Sequence, residues 1–341
     1  MKNEIKRNEI SEDTKKSMMT RIITAIIALV IVLPAIFLGE WFFFVLIMVA
    51  GVCATIEIVR CAKRKYSPVL YILSIVLVLA LSCWPIIRTF SDPFPEYGFR
   101  IFLHFDKLYL SIIVLFIALC LVLWTVLIDK NFTVRDATYI FTFLLILSLG
   151  MQSAILLRSL PSYNNYLADG NSLNPHYFNL FDSFGSSTLL IYVIIGAFAT
   201  DIGAYFIGIF FGKKKINERI SPKKTWEGFI GGIIISTIVS FLFAFILALA
   251  GHPILEKLFV VDRWYFILIL SFIMPFFSTL GDFVFSSAKR FYDIKDYGSV
   301  LPGHGGVMDR IDSLVFTLIV SAVVINITNL IINGQGLSSL I

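Results

Sequence analysis

The chain has 341 residues, of which 58% are hydrophobic and only 15% charged, with a net charge of +5 and a mean hydropathy of +0.87. A soluble domain sets more charge against its apolar residues, so a water-soluble globule is excluded. Apolar runs of about 20 residues recur, each able to cross a bilayer core of roughly 30 Å. An open sheet cannot satisfy its backbone in lipid, so the expected fold class is an all-α polytopic membrane protein.

Residues 1–20 read as a charged cytoplasmic leader, mobile or lying on the membrane surface as a helix. The leader is long and polar and no small-residue cleavage site follows the first apolar run, which makes that run a membrane helix rather than a signal peptide. Nine spans are expected, at about 21–39, 41–59, 67–87, 108–128, 138–157, 188–211, 228–250, 264–281 and 313–332. Lysine and arginine gather in the leader (Lys2, Lys6, Arg7, Lys15, Lys16, Arg21) and in every second loop. These loops hold Arg60, Lys63, Arg64 and Lys65; Lys130 and Arg135; Lys213, Lys214, Lys215, Arg219, Lys223 and Lys224; and Lys289, Arg290, Lys295 and Arg310. That alternation places the N-terminus in the cytoplasm and the C-terminus outside.

The segment 158–187, RSLPSYNNYLADGNSLNPHYFNLFDSFGSS, reads as a long external loop from its Asn, Ser, Pro and Gly content. Three regions result: the leader 1–20, a block of about five spans with the external loop over 21–187, and a catalytic block of about four spans with cytoplasmic loops over 188–341. The basic residues flank spans, so their partners are anionic lipid headgroups and not nucleic acid. The four cysteines, Cys53, Cys61, Cys83 and Cys120, have no metal-ligand spacing and read as packing residues.

The first five spans contain almost no ionisable residue expected to be buried, and the polar candidates fall in the last four. Asp201 lies about ten residues before the end of its span, roughly 15 Å deep at 1.5 Å per residue, and a carboxylate there requires a polar cavity or a partner. In ISPKKTWEGFIGG (220–232), Ser221 is expected to cap a helix with Pro222 at its first position. Lys223 and Lys224 would then oppose the macrodipole and call for an anion such as phosphate; a solvated basic loop is the plainer alternative. In GDFVFSSAKRFYDIKD (281–296), Asp282, Ser286, Lys289 and Arg290 share one face if the eighth span continues as a helix. In LPGHGGVMDRIDS (301–313), the glycines let backbone N–H groups point at an anion. Asp309 and Asp312, three apart, face the same way from a helix starting near Val307. Carboxylates at a helix start also merely favour the dipole. If the four segments converge, the aspartates suit a cation and the lysines and arginines suit phosphate.

The stretch SSAKRFYDIKDYGSVLPGHGGVMDRID (286–312) closely resembles the signature of the phosphatidate cytidylyltransferases, or CDP-diacylglycerol synthases. The signature is met at Ser286, Lys289, Arg290, Lys295, Asp296, Gly298, Leu301, Pro302, His304, Gly305, Gly306, Val307, Asp309, Arg310, Ile311 and Asp312. Ala288 departs from it, standing where a larger aliphatic residue is usual. The segment 201–228 is similar to a second family stretch, with its D-x-G-A-Y and S-P-K-K-T-x-E-G elements. Similarity is strong over about 196–315 and only architectural before that.

The resemblance implies that CTP and phosphatidate give CDP-diacylglycerol and pyrophosphate with Mg2+, with room for a second cation. It implies catalytic roles for Lys289, Arg290, His304, Asp309 and Arg310, and substrate contacts for Ser286, Lys223, Lys224, Lys295, Asp296, Gly305 and Gly306. Metal binding would fall to Asp282 and Asp309, helped by Asp312 and Asp201. The leader suggests a bacterial plasma membrane and the Lys and Arg pattern a site facing the cytoplasm, with membrane lipids as neighbours and a homodimer as a candidate assembly. Two rival readings are a CTP-dependent lipid kinase, which would release CDP, and an ion-coupled transporter built around Asp201. No internal repeat supports the transporter.

Overall fold

The computed structural model describes residues 12–38, 40–64, 66–91, 107–129, 132–168, 182–255 and 258–332. Lys2, Lys6, Arg7, Lys65 and Lys130, residues 169–181 of the expected external loop and the last nine residues lie outside the described set. The helices are α1 (Glu12–Leu38), α2 (Glu40–Arg60), α3 (Pro68–Ser91), α4 (Lys107–Ile128), α5 (Val134–Ala168), α6 (Asp182–Phe211), α7 (Trp226–Leu249), α8 (Trp264–Phe291) and α9 (Met308–Ile332). Two short strands, β1 (Lys215–Asn217) and β2 (Ser221–Thr225), pair antiparallel between α6 and α7.

Each expected span overlaps a helix. Among the described residues, seven helices are long and apolar enough to cross a membrane, and α3 contributes a shorter apolar run, Pro68–Cys83. The chain is an all-α polytopic membrane protein apart from the hairpin. Its outward faces carry large apolar side chains, such as Leu127 at 80% and Phe210 at 73% exposure. Water would penalise such faces, whereas lipid solvates them at no cost.

Three expectations are corrected. Residues Ser221–Thr225 form strand β2 rather than a capped helix start, so Lys223 and Lys224 are strand residues outside the spans. The helix begins at Trp226. Its cap is Thr225, extended at φ −121°, whose Oγ1 accepts from the N–H of Gly228 at 3.1 Å. The segment 158–187 is helical at both ends, because α5 runs to Ala168 and α6 begins at Asp182. The second expected span also buries a charge, Glu57, and the longer α5 buries Asp136 and Arg158 just outside the fifth; each is 3% exposed or less. Arg158 donates from Nε to the Ile36 carbonyl at 2.9 Å, and Asp136 pairs with Arg64 at 2.7 Å, so each meets a polar partner where it is buried.

Two apolar clusters hold the bundle together. One joins α2, α3, α4, α5, the C-terminal end of α8 and the N-terminal end of α9, through residues such as Ile58, Leu144 and Phe285. The other joins α1, α2, α5, α6, α7, α8 and α9, around Leu189, Tyr192 and Met274. Helices α6 and α7 cross at backbone contact. A Cβ on Gly228 would stand 2.7 Å from the Ala204 carbonyl oxygen, and one on Gly232 would stand 2.9 Å from that of Thr200, as small residues at helix crossings permit.

Candidate active site

The C-terminal half of α8 continues past the eighth expected span, to Phe291, so Asp282, Ser286 and Lys289 do fall on one face. Ser286 Oγ donates to Asp282 Oδ1 at 3.1 Å, one helical turn away. The other oxygen of Asp282 takes an ion pair from Lys224 of β2, whose Nζ also lies 4.4 Å from the centre of the Phe283 ring. The hairpin thus delivers a cation to the helix face where the acid sits.

One turn further along α8, Lys289 reaches across to α9. Its Nζ is 2.9 Å from Asp309 Oδ1 and 3.7 Å from Asp312 Oδ2, with side chains 11%, 4% and 12% exposed. On α6, Asp201 Oδ2 accepts from Ser313 Oγ at 3.2 Å. Asp282 repels both Asp201 and Asp312 electrostatically, so three carboxylates from three helices share one field. Asp201 lies at the surface of the bare bundle, beside Ser313 of α9.

The glycine segment folds into a tight turn closed by mutual hydrogen bonding of Leu301 and Gly305, with Gly303 at φ +74° and Gly305 at φ +88°. A side chain would strain both positions. The backbone N–H groups are turned inward. Those of His304 and Gly305 donate to the Leu301 carbonyl at 2.9 and 3.1 Å. Gly306 donates to Asp309 Oδ2 at 2.9 Å, as does Tyr297 at 2.8 Å. Val307 and Met308 donate to Glu57 Oε1 and Oε2 at 2.9 and 2.8 Å. The anion at this nest is therefore the protein's own, and what this segment leaves free for a ligand is its side chains.

Of those side chains, Arg310 is exposed and donates from Nη2 to the His304 carbonyl at 2.7 Å. His304 Nδ1 is buried and has no hydrogen-bond partner among the described residues. Arg290 is exposed and braces two carbonyls, those of Ile220 at 3.3 Å and Ile294 at 3.4 Å, tying the hairpin to the end of α8. Lys223, Lys295 and Asp296 are exposed and make no ion pair among the described residues. They stand at the rim.

Two buried groups beside the site are held neutral. Burial pushes the Tyr297 phenol well above its usual range, so it remains a donor, to the Phe285 carbonyl at 3.1 Å. Burial pushes the Cys61 thiol up to about 11, which leaves it a poor nucleophile.

Among the described residues no group of three His, Cys, Asp or Glu is arranged as a ready metal cage. Asp201, Asp282 and Asp312 nonetheless suit a hard cation in donor type, being mutually repelling oxygen ligands with acceptor capacity to spare. Mg2+ is commonly held by one or two carboxylates plus substrate phosphate and water.

Sequence reasoning missed Glu57, at the C-terminal end of α2. The local signal is only an acid in the apolar run TIEIVR, and nothing local says that it points at residues 250 positions away. It also missed Glu227, which accepts from the N–H groups of Lys213 and Lys214 and so fixes the start of the basic hairpin.

The chain is similar to known proteins over most of its length. A profile described as "Cytidylyltransferase family" matches residues 19–328. A phosphatidate cytidylyltransferase of Bacillus subtilis (strain 168) is 30% identical over 301 residues, covering 88% of this chain and 95% of that protein. One of Staphylococcus haemolyticus (strain JCSC1435) is 31% identical over 301 residues, covering 88% and 96%. One of Mycobacterium leprae (strain TN) is 37% identical over 173 residues, covering 47% and 51%.

Proposed function

Because the chain belongs to the cytidylyltransferase family, we propose that it transfers the cytidylyl group of CTP to phosphatidate, releasing pyrophosphate and forming CDP-diacylglycerol. The relatives' names supply the substrates. The observation that carries the chemistry is the convergence of Lys224, Lys289, Asp201, Asp282, Asp309 and Asp312 from β2, α6, α8 and α9 into one cluster.

An oxygen of the phosphatidate phosphate forms a bond to the α-phosphorus of CTP. The bond from that phosphorus to the bridging oxygen breaks, and its electron pair leaves with pyrophosphate. A phosphate monoester has a second pKa of about 6, so the nucleophile is already ionised and needs no strong base. The obstacle is bringing two polyanions together. Lys224, Lys289, Arg290 and Arg310 offset that repulsion, with Lys223 and Lys295 at the rim drawing anions in. Ser286 offers a hydroxyl to a phosphate oxygen. His304 hydrogen-bonds phosphate or positions the loop, Asp296 orders the rim, and Gly305 and Gly306 keep the turn narrow enough for substrate to approach.

Mg2+, when bound, would neutralise phosphate charge and align the attacking and leaving oxygens. Asp282, Asp312 and Asp201 are the residues we expect to hold it. Asp309 joins them in charge, while its oxygens orient Lys289 and the glycine turn. The expected setting is the plasma membrane of a bacterium with the site facing the cytoplasm. CTP would enter from the cytosol and phosphatidate from the bilayer between helices.

The test uses purified protein in detergent–lipid micelles with phosphatidate, Mg2+ and CTP labelled on its α-phosphate. Label is expected to enter the lipid phase, and Asp309→Asn is expected to abolish transfer. Lipid labelled only from γ-labelled CTP would overturn this reading in favour of a kinase.

A further inference from the structure

We infer that Glu57 is a positioning residue of this reaction: from α2 it clamps the start of α9, and with it Asp309, Asp312 and Arg310, in the register the substrates require. The inference rests on the cytidylyltransferase reading and extends the site to the N-terminal half of the chain.

Glu57 is 3% exposed, and its two oxygens accept from two successive N–H groups, Val307 at 2.9 Å and Met308 at 2.8 Å. These belong to the orphan donors at a helix start. A local Ser, Thr or Asp normally serves them, but here the cap comes from a helix 250 positions away. An anion at that end is also favoured by the helix dipole. The fit leaves no slack, because a Cβ on Gly298 would stand 2.6 Å from Oε1 and one on Gly306 would stand 2.5 Å from Oε2. Both glycines are therefore backbone walls against which the carboxylate is pressed.

The clamp acts one residue before the chemistry. Met308 is followed by Asp309, whose oxygens hold Lys289 at 2.9 Å and the N–H groups of Gly306 and Tyr297. Glu57 and Asp309 thus share the turn, each fixing adjacent donors. The base of Glu57 is set in the apolar cluster through its neighbour Ile58, which is fully buried. A shift of the carboxylate would move the α9 start and separate Lys289 from its two acids, and misplacement of reacting groups by about 1 Å costs on the order of a hundredfold in rate.

The experiment compares full-length wild type, Glu57→Gln and Glu57→Asp in phosphatidate micelles. It measures kcat and KM for CTP, bound CTP per molecule, thermal unfolding, and deuterium exchange of the 303–310 segment. Gln keeps the shape but has one acceptor oxygen for two donors. The expected result for it is a kcat lower by about 10- to 100-fold with bound CTP and KM within about threefold, and faster exchange at 306–308. Glu57→Asp, which keeps the charge but not the reach, should fall between the two. Turnover within twofold of wild type, or a loss of turnover matched by an equal loss of bound CTP, would overturn the inference. If Glu57→Gln does not fold, Gly298→Ala decides, since it displaces the carboxylate while leaving its charge; wild-type turnover and exchange in that variant would equally overturn it. Exchange does not depend on turnover. Faster exchange in a protein whose wild type transfers no α-label would sink the cytidylyltransferase reading and leave the clamp standing.

Discussion

Lys289 is the residue on which the site's charge balance turns. It is one cation between two buried acids, and removing one partner of a buried pair leaves the other uncompensated, at a cost of about 3–5 kcal/mol. Lys289→Met is therefore expected to lower the thermal unfolding temperature and to reduce kcat by about 100- to 1,000-fold, the range for loss of one preorganised electrostatic group. A protein with normal turnover in the α-label assay would remove Lys289 from the chemistry. Cys61 gives a prediction of the opposite kind. Its folded pKa of about 11 stands above its ordinary value of 9.0, so the thiol form is favoured by folding. That contribution is complete below about pH 9 and is lost as pH rises through about 11. Alkylation of Cys61 at pH 8 is expected to be about a hundredfold slower in the folded protein than in the denatured chain, as mass spectrometry of the labelled peptide will tell.

At the scale of elements, the hairpin and the α6–α7 crossing place Lys224. Strand β2 runs directly into α7 through the Thr225 cap, so the position of Lys224 is tied to where α7 begins. Thr225 is 4% exposed, and Thr225→Ala is expected to cost about 1 kcal/mol, the usual worth of an N-cap. It should also weaken phosphate recognition through Lys224, read as a raised KM for CTP. Gly228→Ala would press a methyl into the Ala204 carbonyl and is expected to destabilise by about 1–3 kcal/mol, as overpacking does, read as a lower midpoint of thermal unfolding in detergent. The local reading of 220–232 went wrong because Ser-Pro before basic residues resembles a helix start. Pairing with Lys215–Asn217 instead made it a strand. The eighth span was legible as far as the apolar run lasts. Its extension to Phe291 depends on tertiary contacts that bury Phe285, Ser286 and Lys289.

For the whole molecule, orientation and access are the quantities to test. In sealed vesicles of uniform orientation, CTP supplied to the side bearing the hairpin, Arg290 and Arg310 is expected to support synthesis, and CTP confined to the other side is not. Equal rates from both sides would overturn the cytoplasmic assignment. Asp201 fits the same picture. A charge in a membrane span is costly unless it meets a polar partner, and here it meets Ser313 and the field of Asp282 and Lys224.

The membrane class and the run of helices are legible in the chain alone, as are the residue types proposed for the site. Hydropathy is additive along the chain, and the motif at 286–312 carries its own spacing. The i, i+4 stripe of Asp282, Ser286 and Lys289 was legible for the same reason, since helical geometry is local. Only the tertiary structure decided which charges meet: Lys224 with Asp282, Lys289 with Asp309 and Asp312, Ser313 with Asp201. It also decided that the glycine turn's donors belong to Glu57 and Asp309 rather than to a ligand. A buried donor takes whichever acceptor packing brings within about 3 Å. For the start of α9 that acceptor comes from α2, a pairing that no local pattern encodes.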